Sequence, residues 1–300
     1  MVVAVAIAIT AWITSVSFLN PTDARVYLAA GERLLAGHEL YALSPGDRDV
    51  LLNPPYWTVP FLSPPSMGIV SMPLALLGDA GIAAAWATAF GAYLIALAVL
   101  VRGVPILGML AVAVLAPQLG AQLAIGNVNA LLALGLIAAW VVRDRPWIVG
   151  AIVASMVAIK VTPAVLVIWL LATGRRRAVA ATAIWLLALV AGSISIVGLD
   201  AHTGYLRVAT HTVGQGTTEL SIAGLLRSIG VPTDAARLAP WFVIVSGVLV
   251  AMRLRRREGL VFGVTVVLMT VGSPSFNPYW LALTMFALVP LAVGRSPEVS

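Results

Sequence analysis

The chain reads as long apolar runs separated by short polar breaks. The runs cover roughly 2–19, 66–77, 81–101, 104–119, 128–142, 147–173, 178–199, 239–252, 259–272 and 278–294. A helix needs ~20 apolar residues to cross a bilayer, and several of these runs approach or exceed that length. The pattern predicts an all-α, polytopic membrane protein. The first run lacks the basic region and the small-residue cleavage site of a signal peptide, so it reads as an uncleaved span. The longest polar stretch runs from Asn20 to about Pro65 and holds Asp23, Arg25, Glu32, Arg33, His38, Glu39, Asp47, Arg48 and Asp49. No repeat or low-complexity segment interrupts the order, so residues 1–300 are expected to form one membrane domain.

Composition excludes a soluble alternative. Apolar residues make up 61% of the chain and charged residues 10%, too few charges to cover a soluble surface. Without cysteine there is no disulfide and no thiolate metal site. The 18 basic residues outnumber the 12 acidic ones. They sit in short clusters between apolar runs, which is a topology signal and not a nucleic-acid footprint. Placing Arg102, Arg143, Arg145, Arg175–Arg177, Arg253, Arg255–Arg257 and Arg295 inside leaves only Asp144, Glu258 and Glu298 as acids on that face.

Two consequences follow from that placement. Residues 147–173 must go out and return, each half spanning only ~20 Å of helix against a ~30 Å core. Residues 66–77 must lie near the outer interface. The expected architecture is a helical bundle of about ten transmembrane helices, with both termini inside and a long first external loop. A competing count makes 66–77 a span and 147–173 one helix, but leaves Arg102, Arg143 and Arg145 outside.

Three breaks carry helix-start chemistry. In Ala158-Ile159-Lys160-Val161-Thr162-Pro163, proline disfavours helix for the residue before it, and Thr162 and Pro163 suit the cap and first helical positions. A helix restarting there would aim free N–H groups outward beside Lys160, the only lysine, an arrangement suited to an anion such as phosphate. Gly126-Asn127-Val128-Asn129 precedes the run 130–142, and either asparagine can cap it. Asn277-Pro278 starts the last run in the same way. All three breaks are expected on the outer face, with Asp23. Irregular backbone at membrane depth must line a wet cavity or be buried in protein, so the breaks point to an outward-facing active cavity.

These segments also resemble a known family. Thr22-Asp23-Ala24-Arg25-Val26-Tyr27, Ala29-Ala30-Gly31, Leu35-Ala36-Gly37 and Leu40-Tyr41 are similar to the first external loop of GT-C polyprenol-phosphate-dependent glycosyltransferases. The specific likeness is to glycosyltransferase family 87, which includes mannosyltransferases and arabinofuranosyltransferases. Pro64-Pro65 with Met72-Pro73-Leu74, Gly126-Asn127-Val128-Asn129 and Lys160-Val161-Thr162-Pro163 with Arg175–Arg177 continue the match. Ser221-Ile222-Ala223-Gly224-Leu225-Leu226-Arg227 and Ser273-Pro274-Ser275 complete it. The likeness runs in order through almost the whole chain. It departs at Glu219-Leu220, where the family has Asn-Gln, and at Phe276-Asn277, where a Trp and a nearby His often stand.

The resemblance implies transfer of a hexose, with mannose expected, from a polyprenyl-phosphate sugar to a lipid or glycan acceptor at the outer face of the plasma membrane. It implies no cofactor and no metal; the one Asp-x-Asp, Asp47-Arg48-Asp49, sits in a wet loop beside Gly46 and does not read as a metal motif, and there is no Gly-rich phosphate loop. Such chemistry needs a carboxylate to take the acceptor proton and donors for the leaving phosphate. The resemblance places the base at Asp23; the alternative role for Asp23 is capping the next helix. Lys160 and Thr162 are expected at the phosphate, and Arg25, Asn127, Asn129, Arg207, His211 and Asn277 are further substrate-binding candidates. Lys160 could instead snorkel to the interface, and either asparagine could be a plain cap. Two rival readings stay open: a transporter or lipid flippase, which also uses broken helices, and an inactive family member serving as a partner subunit.

Overall fold

The computed structural model describes residues 21–42, 61–215, 221–273 and 277–294, and no β-strand occurs among them. The first apolar run and the family departures at Glu219, Leu220 and Phe276 lie outside the described residues. The chain begins with α1 (Thr22–Leu35), α2 (Pro65–Ala75) and α3 (Asp79–Gly103). It continues through α4 (Pro105–Val114), α5 (Ala116–Ala124), α6 (Asn129–Val141) and α7 (Pro146–Ile159). A 3-10 turn (Thr162–Val165) leads into α8 (Leu166–Ala172), followed by α9 (Arg176–Gln215), α10 (Ile222–Ser228) and α11 (Thr233–Ala236). The remaining elements are α12 (Ala239–Arg253), α13 (Glu258–Val271), a 3-10 helix (Pro278–Leu288) and α14 (Val289–Val293).

Among the described residues, 79–103, 176–210 and 233–253 are helical, long and apolar enough to cross a membrane, and α4 with α5 makes a fourth candidate bent by 66°. Pro117 explains the bend inside what the sequence pattern reads as one run, because its ring and missing N–H disrupt the preceding turn. The other apolar helices are 10–17 residues long. Large apolar side chains face outward along the candidate spans, among them Ile106, Leu187, Ile196, Phe242 and Leu249. A water-facing surface does not carry such a belt, whereas a hydrocarbon solvent is matched by it. Inside, Tyr93, Trp140, Trp169, Phe262 and Phe286 anchor the core, with Trp169 edge-on to Phe262 at 5.0 Å.

The basic clusters meet at one end. Arg175 donates to the Arg143 carbonyl at 2.6 Å and pairs with Asp144 at 2.9 Å and Glu258 at 2.8 Å. Residues 146–174 therefore leave this end and come back to it, as the Arg145 and Arg175 placement predicts. At the same end, Gly103 lies against the Ala292 backbone so closely that a Cβ would stand 2.0 Å from its carbonyl oxygen. Helix α2 lies along α1, and its Ser66 hydroxyl donates to the Ala158 carbonyl at 2.9 Å. That places the start of α2 at the opposite end of α7.

Two differences from the sequence reading concern helix ends. The helix does not end with the apolar run 178–199: residues 200–215 continue α9 after a kink at Gly198 (φ 78°, ψ 169°). The segment contains no proline to stop it, and Tyr205 packs on Tyr41 with ring centroids 6.0 Å apart. The restart after Lys160 is also wound differently. Its first turn is 3-10, Val161 holds the cap position, and no side chain caps it, so Thr162 is the first residue of the turn and not its cap.

Candidate active site

Three loops converge where α1 begins. The Asp23 and Ala24 N–H groups donate to the Ile125 carbonyl at 2.9 and 3.2 Å. This docks the first turn of α1 on the α5–α6 connection. Pro21 occupies the cap position of α1 without a side-chain bond, so Asp23 is not used as a cap. Gly126 makes the close approach possible. Its φ is 67° and a Cβ there would come within 2.8 Å of the Ala24 Cβ, so only glycine meets both the backbone and the space requirement.

A chain of hydrogen bonds then crosses the site. The Asn127 amide donates to the Asp23 carboxylate. The same side chain's Oδ1 accepts the Asn129 N–H at 2.8 Å, at the first residue of α6, whose cap position is held by Val128 and by neither asparagine. Asn129 Oδ1 in turn accepts from Lys160 Nζ at 2.8 Å, and the ammonium sits 3.9 Å over the Trp280 ring. Asn127 and Asn129 are 4% and 1% exposed. Asp23 and Lys160 thus stand at the two ends of an asparagine bridge. Direct ion pairing between them does not occur among the described residues.

Each end keeps open valence. Asn127 occupies Asp23 Oδ2, while Oδ1 accepts no hydrogen bond among the described residues. The Lys160 ammonium has three donors and spends one on Asn129. Asn129 Nδ2 is buried with no partner among the described residues, as are both polar ends of the Gln122 side chain. Burial raises the Asp23 carboxyl above the ordinary carboxylate range, opposed by the Asn127 hydrogen bond and the Lys160 charge.

The other candidates fall into two groups. Thr162 follows Lys160 at the same break. Asn277 is extended (φ −115°, ψ 138°) just before the last 3-10 helix; its carbonyl accepts the Trp280 N–H at 2.9 Å, which holds the ring beneath Lys160. Arg25, Arg207 and His211 do not join the asparagine bridge. Arg25 leaves α1 ~200° around the helix from Asp23. Arg207 lines a separate cavity of about 500 Å³ with His38, Glu39, Tyr41 and Asp200. His211 lies on the last turns of α9, and its side chain is outside the described residues. Trp280 is the participant that sequence reasoning missed. Its position two residues after Pro278, at the third break, was the available signal.

No curated protein and no solved structure matches the chain. The sequence model of glycosyltransferase family 87 matches residues 61–278. The stretch contains Asn127, Asn129 and Lys160; Asp23 and Arg25 precede it. With its helical membrane architecture and ordered motifs, the chain belongs to glycosyltransferase family 87.

Proposed function

We propose that the protein transfers a hexose, with mannose the expected sugar, from a polyprenyl-phosphate donor to a lipid or glycan hydroxyl at the outer face of the plasma membrane. One observation carries the proposal: the Asp23 carboxylate and Lys160 ammonium are held apart by Asn127 and Asn129, each with valence to spare. The acceptor oxygen attacks the anomeric carbon, its proton passes to Asp23 Oδ1, and the bond from that carbon to the phosphate oxygen breaks. The polyprenyl phosphate leaves toward the free donors of Lys160, whose position the Trp280 face stabilises. A single lipid phosphate needs no metal in this scheme. The outward orientation of the site is supported by the basic residues at the opposite end, in a ten-helix topology.

The test uses the purified full chain, radiolabelled polyprenyl-phosphate mannose and a membrane lipid extract, with and without EDTA. Labelled acceptor should form equally in both. Transfer that is lost on chelation and restored by magnesium or manganese, or transfer from a nucleotide sugar only, would overturn the donor assignment. For topology, cysteine at Val161 should react with an impermeant reagent from outside, whereas cysteines at Arg176 and Arg256 should not. The reverse pattern would sink the orientation.

A further inference from the structure

A second cavity lies at the other end of the molecule, away from the asparagine bridge. It is a groove of about 930 Å³ between α13 and the last 3-10 helix with α14. Gly259, Gly263 and Val267 form one wall, and Ala287 and Leu291 the other. The two glycines are one turn apart and let α13 close on the other wall: a Cβ at Gly259 would stand 3.0 Å from Pro290, and one at Gly263 3.3 Å from the Ala287 carbonyl oxygen. From Gly259 to Val267 the wall runs ~12 Å along the helix, most of the ~15 Å depth of one leaflet's hydrocarbon.

The mouth is cationic. Arg256 and Arg257 line it, both exposed, and neither side chain has a carboxylate or hydrogen-bond partner among the described residues. Trp140 also lines the groove. It is 5% exposed, yet its Nε1 has no partner among the described residues. The neighbouring arginines differ: Arg175 is paired with Asp144 and Glu258, and Arg143 lies 3.8 Å from Glu258.

We infer that this groove binds an anionic glycerophospholipid, with its phosphate at Arg256 and Arg257 and one acyl chain against Leu260, Val267 and Leu291, the exposed apolar side chains of its lining. Charge complementarity selects that occupant. A zwitterionic headgroup brings its own cation to the two arginines. A second copy of the chain has no described carboxylate to offer from this end, because Asp144 and Glu258 are already paired. Basic pockets between membrane helices on the positively flanked side suit anionic headgroups.

Native mass spectrometry of the full chain in detergent, titrated separately with dioleoyl-phosphatidylglycerol and dioleoyl-phosphatidylcholine, tests the inference. One phosphatidylglycerol should be retained, at least about tenfold more tightly than phosphatidylcholine. The double variant Arg256→Gln/Arg257→Gln should bring the ratio close to one. Arg253→Gln/Arg255→Gln, on the same turn but outside the groove lining, should leave it unchanged. Leu291→Trp fills the groove from a position 60% exposed, so it spares the core; it should weaken both lipids. Equal affinity for the two lipids, equal loss in both arginine pairs, or a dimer that excludes lipid would overturn the inference.

Discussion

The two ends of the bundle handle charge in opposite ways. At the basic end, Arg175 meets Asp144 and Glu258 directly at 2.9 and 2.8 Å, and Arg143 adds a hydrogen bond to the Trp140 carbonyl at 2.9 Å. Carboxylate and guanidinium satisfy one another, and the result ties α6, α9 and α13 together. At the other end, the Asp23 carboxylate and the Lys160 ammonium are separated by two amides. Amides orient both charges without neutralising either one. Direct pairing makes a clamp; an amide bridge leaves a carboxylate and a cation available to a substrate. That contrast, more than any single residue, is the ground on which the chemistry is proposed at the amide-bridged end.

The most severe way to break the reactive end is Asp23→Asn. It keeps the shape and removes the base, so turnover should fall by ~10²–10⁴-fold, measured as labelled acceptor formed per minute. Activity should also fall as pH is lowered, through a value above the ordinary ~3.9 of an aspartate. Burial raises the Asp23 carboxyl, and its protonated form cannot accept the acceptor proton. A wild-type pH profile without that acidic limb would contradict the role.

Lys160→Met should mainly weaken the donor, by about ten- to over a hundredfold in apparent affinity, the weight of a hydrogen bond to a charged group. Lys160→Arg should recover only part of this, since a planar guanidinium does not replace a point charge over Trp280. Asn127→Ala removes the bond that orients Asp23 and the acceptor of the Asn129 N–H. A turnover loss of about tenfold is expected, with a stability cost of about 1 kcal/mol from the lost hydrogen bond. Arg175→Gln sharpens the comparison from the other side. Turnover per folded molecule should be unchanged, while thermal stability falls by about 1–3 kcal/mol as Asp144 and Glu258 lose their partner.

Much of this contrast was legible in the sequence. Arginine clusters between apolar runs identified one end, because positive residues are in excess on one side of a membrane protein. Pro163 and Pro278 marked two helix restarts; the Lys160 candidate came from the first of these breaks, and the Asp23 candidate from the family resemblance. The winding of those restarts was not legible. Thr162 satisfies the statistics of a cap, yet Val161 holds that position because the first turn is 3-10. The continuation of α9 past Gly198 was hidden by the polar residues of 200–215, whose support comes from Tyr41, distant in sequence. From the sequence, Asn127 and Asn129 read as possible caps or substrate contacts, and not as a bridge. That Asn127 and Asn129 also reach Asp23 and Lys160 depends on how three loops meet, which spacing along one chain does not encode.

The central claim is that the amide-bridged end is where the sugar leaves its lipid phosphate. The most direct measurement follows bound and transferred label together in a single turnover of the Asp23→Asn protein with radiolabelled polyprenyl-phosphate mannose. The account predicts that the folded variant holds the donor as the wild type does and transfers almost none of its sugar. Near-normal transfer by folded Asp23→Asn protein would contradict it and place the reaction elsewhere in the molecule.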